Sequence, residues 1–158
     1  MGQCILPLRA SREFGLDRDG VALLLAIPQV VDVAVLLPLG SLADRSSRAR
    51  VLAAVLAVLA GGVAAVAFGP LSIVVVGCVF FGIGLASWML PVALLNRDGS
   101  ARLVAWRTAL YRVGVDAGIF LGPVLSGLLA EQGVLWVVGV ATSASLVAVS
   151  VALLRART

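Results

Sequence analysis

The chain has 158 residues, 61% of them hydrophobic and 13% charged, with a net charge of +4. Soluble domains carry roughly 25% charged residues, so this inventory cannot cover a water-facing surface. All twelve basic residues are Arg and stand at the ends of apolar runs, which excludes a nucleic-acid face, and the absence of His excludes His-based zinc sites, Ser-His and Cys-His catalysis and a His proton relay.

Residues 1–20 hold only a short apolar patch, Ile5-Leu6-Pro7-Leu8, too short for the core of a cleavable signal. They read as an external segment, or as the tail of a helix that precedes Met1 and is missing. Asp17 or Asp19 is placed to cap the helix that follows. A membrane span needs about 20 mainly apolar residues. Five segments meet or approach that length: 21–40, 51–68, 71–95, 109–130 and 134–154. The expected fold is all-α, a polytopic integral membrane bundle of five transmembrane helices. Five short, uniformly apolar segments are too few for a membrane barrel.

The first segment, 21–40, carries Asp32 in mid-helix, with Gln29 three residues before it and Pro28 beside that. An ionised Asp at a bilayer centre costs about 2.5–3.5 kcal/mol on insertion scales, so it must face a partner, a cavity or water. It reads either as a proton or substrate site or as a structural Asp bonded across a helix seam. The link to the second segment is Gly40-Ser-Leu-Ala-Asp44-Arg45-Ser-Ser-Arg48-Ala-Arg50. On residues alone it is a positive loop between two spans. The segment 51–68 has no polar side chain. The segment 71–95 contains Cys78, too far from Cys4 and too deep in apolar sequence to imply a disulfide framework. It also holds Trp88 and Pro91, which either shape a cavity or, for Trp88, anchor a helix end at the interface.

The segment 109–130 is the richest. Gly114, Gly118, Gly122 and Ser126 recur every four residues, a small-residue stripe that lets another helix approach closely. Arg112 and Asp116, also four apart, are spaced for an ion pair on the opposite side. The Gly122-Pro123 step is a bend point, followed by Gly127. The last segment, 134–154, is uncharged, and 155–158 form a short tail. Trp106 and Trp136 read as interface anchors. Nine of the twelve Arg fall in the 41–50 link, around the 96–112 link and in the tail. The positive-inside bias therefore puts those links and the C-terminus in the cytoplasm of a cell-membrane protein.

Two of these stretches resemble the major facilitator superfamily of secondary transporters. The first is the link, with its Gly40-x-x-x-Asp44-Arg45-x-x-Arg48-x-Arg50 spacing. It departs from the family pattern at Ser47, where Gly is usual, and at Ala49, where a basic residue is common. The second is Arg112-x-x-x-Asp116-x-Gly118-x-x-x-Gly122-Pro123, which is similar to the eleventh helix of many bacterial members. It also resembles the antiporter signature of the fifth helix, with Ser126 replacing the first Gly of its final pair.

The resemblance implies a charge network at the cytoplasmic helix ends, with Gly40 at a close helix contact and Asp44, Arg45, Arg48 and Arg50 paired there. Such transporters have two six-helix halves with substrate held between them. The five segments then correspond to helices eight to twelve, the carboxy-terminal half, because the segment 71–95 lacks the intramembrane Arg usual in the other half.

The implied function is alternating-access transport of a small solute, proton-coupled through Asp32 or Asp116. No cofactor or metal is implied. The partners implied are the lipid bilayer, the substrate and either an amino-terminal half or a second copy of the chain. The alternative is a non-transporting membrane subunit that binds its partner through small-residue faces. An enzyme is not expected, since no segment pairs catalytic carboxylates.

Overall fold

The computed structural model describes residues 2–96, 101–131 and 135–155, and every element among them is a helix or a turn. The helices are α1 (Gly2–Arg12), α2 (Arg18–Arg45), α3 (Arg48–Phe68), α4 (Leu71–Leu85), α5 (Leu90–Leu95), α6 (Ala101–Glu131) and α7 (Leu135–Arg155). Arg97 in the 96–112 link, Gln132 and Gly133 before the last segment, and Arg157 in the tail lie outside the described residues, as do the side chains of Ser126 and Trp136.

Helix boundaries follow local chemistry. Asp17 caps α2 by accepting the Gly20 N–H at 2.9 Å, as its position before the apolar run suggests. α2 then runs past Gly40 to Arg45, because nothing between Gly40 and Asp44 breaks a helix. The link shrinks to Ser46 and Ser47. The expected single helix over 71–95 is broken: Ala86–Met89 form turns between α4 and α5. Pro91 supplies the reason. It has no N–H to donate to the Ser87 carbonyl one turn back, and its ring would clash there. Leu90 bonds Ser87 O instead, at 2.9 Å, in a tighter turn. Ser87 Oγ donates to Gly84 O at 2.7 Å and steadies the break. α6 starts eight residues before the expected 109, because the Arg- and Trp-bearing stretch from Ala101 continues the same helix.

Packing centres on α3, which lies between α4 and α7, while α2 packs on the other flank of α4. The α3–α4 and α2–α4 contacts are backbone-close. A Cβ on Gly77 would lie 2.9 Å from Ala65 Cβ and 3.1 Å from Gly62 O. One on Gly82 would lie 2.6 Å from Pro28 O and 2.7 Å from Val31 Cβ. Without side chains there, helix axes approach to the short distances that small-residue interfaces exploit in membranes. α7 docks on α3 through Ser143 Oγ to Ala60 O (3.3 Å) and Ser150 Oγ to Ala53 O (2.8 Å). The two serines are seven residues apart and so share a face.

α6 is the least embraced helix. It touches α5, α7 and α1 along short stretches. Tyr111 OH donates to Trp88 O at 2.7 Å, and Asn96 Nδ2 donates to Thr108 Oγ1 at 3.0 Å. Large apolar side chains face outward on α2 and α6, with Leu37 82% and Phe120 71% exposed. Apolar surface of that extent is suited to lipid or further helices and not to water.

Among the described residues, three helical stretches are long and apolar enough to cross a membrane: Arg18–Arg45, Arg48–Phe68 and Leu71–Leu94. α7 contributes a shorter apolar stretch, Gly139–Arg155. The helical membrane character thus stands, with three spans supported among the described residues.

Candidate functional site

Three groups of residues carry the functional expectations, and the structure keeps them apart. The first is the α2–α3 link. Arg48 Nη2 lies 3.0 Å from Asp44 Oδ1, an i, i+4 ion pair that bridges the two-residue turn. The Asp44 side chain is 71% exposed, and Arg45 and Arg50 are exposed beside it. Gly40 does not sit at a close helix contact in this chain: a Cβ there would meet nothing within 4 Å. The close packing falls on neighbouring positions. Ala43 and Ala49 are buried, and Val51 and Val55 form a core cluster with Leu39, Ala43 and Ala86. The burial of Ala49, 5% exposed, explains one departure from the family pattern, because a basic side chain has no room at that position.

Next to the link is an open cleft of about 440 Å³, walled by Leu39, Leu42, Val51, Ala54 and Val55, with Ser46, Ser47 and Arg50 at its polar edge. The Asp44–Arg48 pair is an exposed surface pair and contributes little to stability. Asp44→Asn is expected to change the unfolding free energy by no more than about 0.5 kcal/mol. A thermal melt of the detergent-solubilised chain checks this. Any larger functional loss in that variant then belongs to the charge and not to folding.

The second group is on α2. Asp32 is half-buried and Gln29 is exposed. Among the described residues, Asp32 has no hydrogen bond or ion pair, and Gln29, three residues before it, does not bond it. Asp32 lies one turn beyond Pro28, which is buried where α2 meets Gly82 of α4. Its carboxylate is therefore carried by a helix whose position is set by a backbone-close contact with α4.

The third group is on α6. Arg112 and Asp116 are both exposed, and no ion pair joins them among the described residues. Gly114, Gly118 and Gly127 face open space, with nothing within 4 Å of an added Cβ. Gly122 is buried and Pro123 is exposed beside it, inside a helix that continues through both. In the small-residue stripe, expected to receive a helix, Gly114 and Gly118 receive none from the described part of this chain. The glycines that do receive helices, among them Gly62, Gly77, Gly82, Gly84 and Gly139, lack regular spacing and were not legible as a stripe. A second open cleft, about 620 Å³, runs along Arg102, Leu103, Ala105, Trp106 and Ala109. Trp88, 50% exposed, and Pro91 line neither cleft; together they mark the break between α4 and α5.

One residue escaped the sequence reading. Arg9 reaches from α1 to the end of α3, bonding carbonyls 57 and 60 residues away. No local pattern signals such a partner.

Comparison with curated proteins and with solved structures gave no match. The model of the Major Facilitator Superfamily, a family of membrane transporters, matches residues 4–158. That match takes in all three groups and agrees with the Gly-x-x-x-Asp-Arg link and the apolar helices that flank it. The chain belongs to the major facilitator superfamily.

Proposed function

We propose that the chain forms part of a secondary transporter that moves a small solute across the cell membrane by alternating access, coupled to protons. The observation that carries this reading is the half-buried Asp32, the one charged residue between Asp19 and Asp44 on α2, which has no partner among the described residues. A carboxylate held there at an energetic cost, with no bond to it among the described residues, is suited to load and release a proton. The Asp44–Arg48 pair and the exposed Arg45 and Arg50 act as charges that hold one conformation at the cytoplasmic ends of the helices. All five segments span the bilayer as helices eight to twelve of such a transporter, with the C-terminus in the cytoplasm. The charge asymmetry of the links supports that orientation.

The open faces of α2 and α6 support a second element of the reading. The substrate site is completed by an amino-terminal half or by a second copy of the chain, against which those faces close. A tag placed after Thr158 at the native locus tests this. The expected result is a membrane band roughly two to three times the 16.2 kDa of this chain, the size of two six-helix halves. A 16.2 kDa band that crosslinks into a complex of that size supports the same reading. A 16.2 kDa species that stays alone and supports no solute flux overturns it.

The open glycine face of α6 also suits a non-transporting subunit. Flux separates the two, since such a subunit assembles with its partner whatever stands at position 32.

A further inference from the structure

The cleft beside the α2–α3 link has a polar mouth and an apolar trough. α2 ends at Arg45 and α3 begins at Arg48, so both spans leave the membrane at this link. Each side lines the cleft with the same order of chemistry. From the link inward, the α2 side presents Ser46, then Leu42 and Leu39, and α3 presents Arg50, then Val51, Ala54 and Val55. Leu39, Val51 and Val55 are buried at the floor, while Leu42 and Ala54 are exposed at the rim. Seven residues separate Ser46 from Leu39, so the trough runs about 10 Å inward at 1.5 Å per residue. α2 packs chiefly on α4 and less on α3, which leaves this gap between them. The mouth is positive. The link holds three Arg against one Asp, and that Asp44 is already paired with Arg48. Arg45 and Arg50 are exposed, and neither side chain has an ion pair or hydrogen bond among the described residues. The cleft is also distinct from the open face of α2, which Leu23, Val30, Val33 and Leu37 mark at 67–82% exposure. At about 100° per residue, Leu39, Leu42 and Ser46 lie roughly opposite that face.

We propose that this cleft holds one anionic phospholipid of the surrounding bilayer, with its phosphate on Arg50 and an acyl chain along the trough between α2 and α3. The two parts of such a lipid match the two parts of the cleft. A guanidinium binds a phosphate through paired, charge-assisted hydrogen bonds, and basic pockets between membrane helices take anionic head groups. An acyl chain between two helices gains dispersion contacts on both sides, which a lipid against a single helix face does not. The Asp44–Arg48 pair stays intact, because Arg50 carries the head group. The lipid ties α2 to α3 where their direct packing is thin. The site rests on the membrane character of the chain and is independent of the solute and of proton coupling.

The full chain in a neutral detergent is melted with dioleoyl phosphatidylglycerol, with dioleoyl phosphatidylcholine and with inorganic phosphate. Phosphatidylglycerol is expected to raise the midpoint by roughly 5 °C more than phosphatidylcholine, the shift that a ligand at about a hundredfold excess over its dissociation constant gives a chain of this size. Inorganic phosphate should have little effect, since it leaves the trough empty. Arg50→Gln, at an exposed position, should erase the difference between the two lipids. Ala54→Trp fills the trough and should erase it with Arg50 in place; Leu42→Ser serves if Ala54→Trp does not accumulate. Arg102→Gln, on α6, should leave the difference unchanged. Equal stabilisation by the two lipids overturns the proposal, as does a difference that survives Arg50→Gln. Loss of the difference in Arg102→Gln also overturns it, because the effect is then one of diffuse surface charge. A phosphate shift as large as that of the lipid overturns it in favour of a plain anion site. Leu42→Cys, in a background lacking Cys4 and Cys78, overturns it if it crosslinks to another polypeptide in membranes, because a protein then covers the trough. None of these outcomes bears on flux through Asp32, so failure here is separate from failure of the transport reading.

Discussion

Gly82→Leu is expected to break the contact between α2 and α4 and to cost about 3 kcal/mol, the upper part of the range for overpacking. The size of the effect follows from what the new side chain meets. Its first carbon would lie 2.6 Å from the Pro28 carbonyl oxygen and 3.0 Å from Pro28 Cα, and these are backbone atoms that cannot rotate away. The helices must separate, and the separation loses dispersion contacts along their whole crossing. The measurement is thermal unfolding of the detergent-solubilised chain, together with its yield in membranes. Gly118→Leu is the comparison. The same change at a glycine with open space around it is expected to shift the melt by no more than about 0.5 kcal/mol, as at other unconstrained surface positions. If Gly82→Leu melts with Gly118→Leu, α2 does not pack on α4 through Gly82.

Asp32→Asn is expected to abolish solute flux driven by a pH gradient in the complete transporter while leaving assembly intact. The stability of the same variant separates a coupling role from a structural one. A carboxylate at membrane depth is costly, about 2.5–3.5 kcal/mol by insertion scales, and an amide removes most of that cost. If Asp32 serves coupling, the Asn variant should melt no lower than the parent and transport nothing against the proton gradient. If Asp32 is instead bonded across a helix seam, the variant should melt lower. Unaltered pH-driven flux in proteoliposomes sinks the coupling role outright.

The contrast between Gly82 and Gly118 shows where reading the chain succeeds and where it stops. The bilayer allows few solutions for an apolar chain, so composition alone leads to helices. An Asp cap for α2, at Asp17 or Asp19, was equally legible, because a cap is a contact between residues three apart, and the structure places it at Asp17. The Asp44–Arg48 pair lies four apart on adjoining helix ends and was visible as part of a motif. The α4–α5 break was present in Pro91 but was outweighed by the apolar run around it.

Regular spacing did not mark the close crossings inside this chain. Gly114, Gly118 and Gly122 look like a packing stripe, yet Gly114 and Gly118 meet open space, while the irregular Gly62, Gly77 and Gly82 carry the close crossings. Whether a glycine is packed depends on which helix crosses it, and that is a property of pairs distant in the chain. Arg9 is the extreme case, since its partners lie 57 and 60 residues ahead.

By itself the sequence determined the membrane class, the helices, the charge asymmetry of the links and the family pattern, because each is set by composition or by neighbours within one helical turn. Only the tertiary structure decided which glycines join helices, that Asp32 stands without a bond to Gln29, and that α1 is clasped to α3. Those contacts form between segments brought together by packing, and no local pattern encodes them.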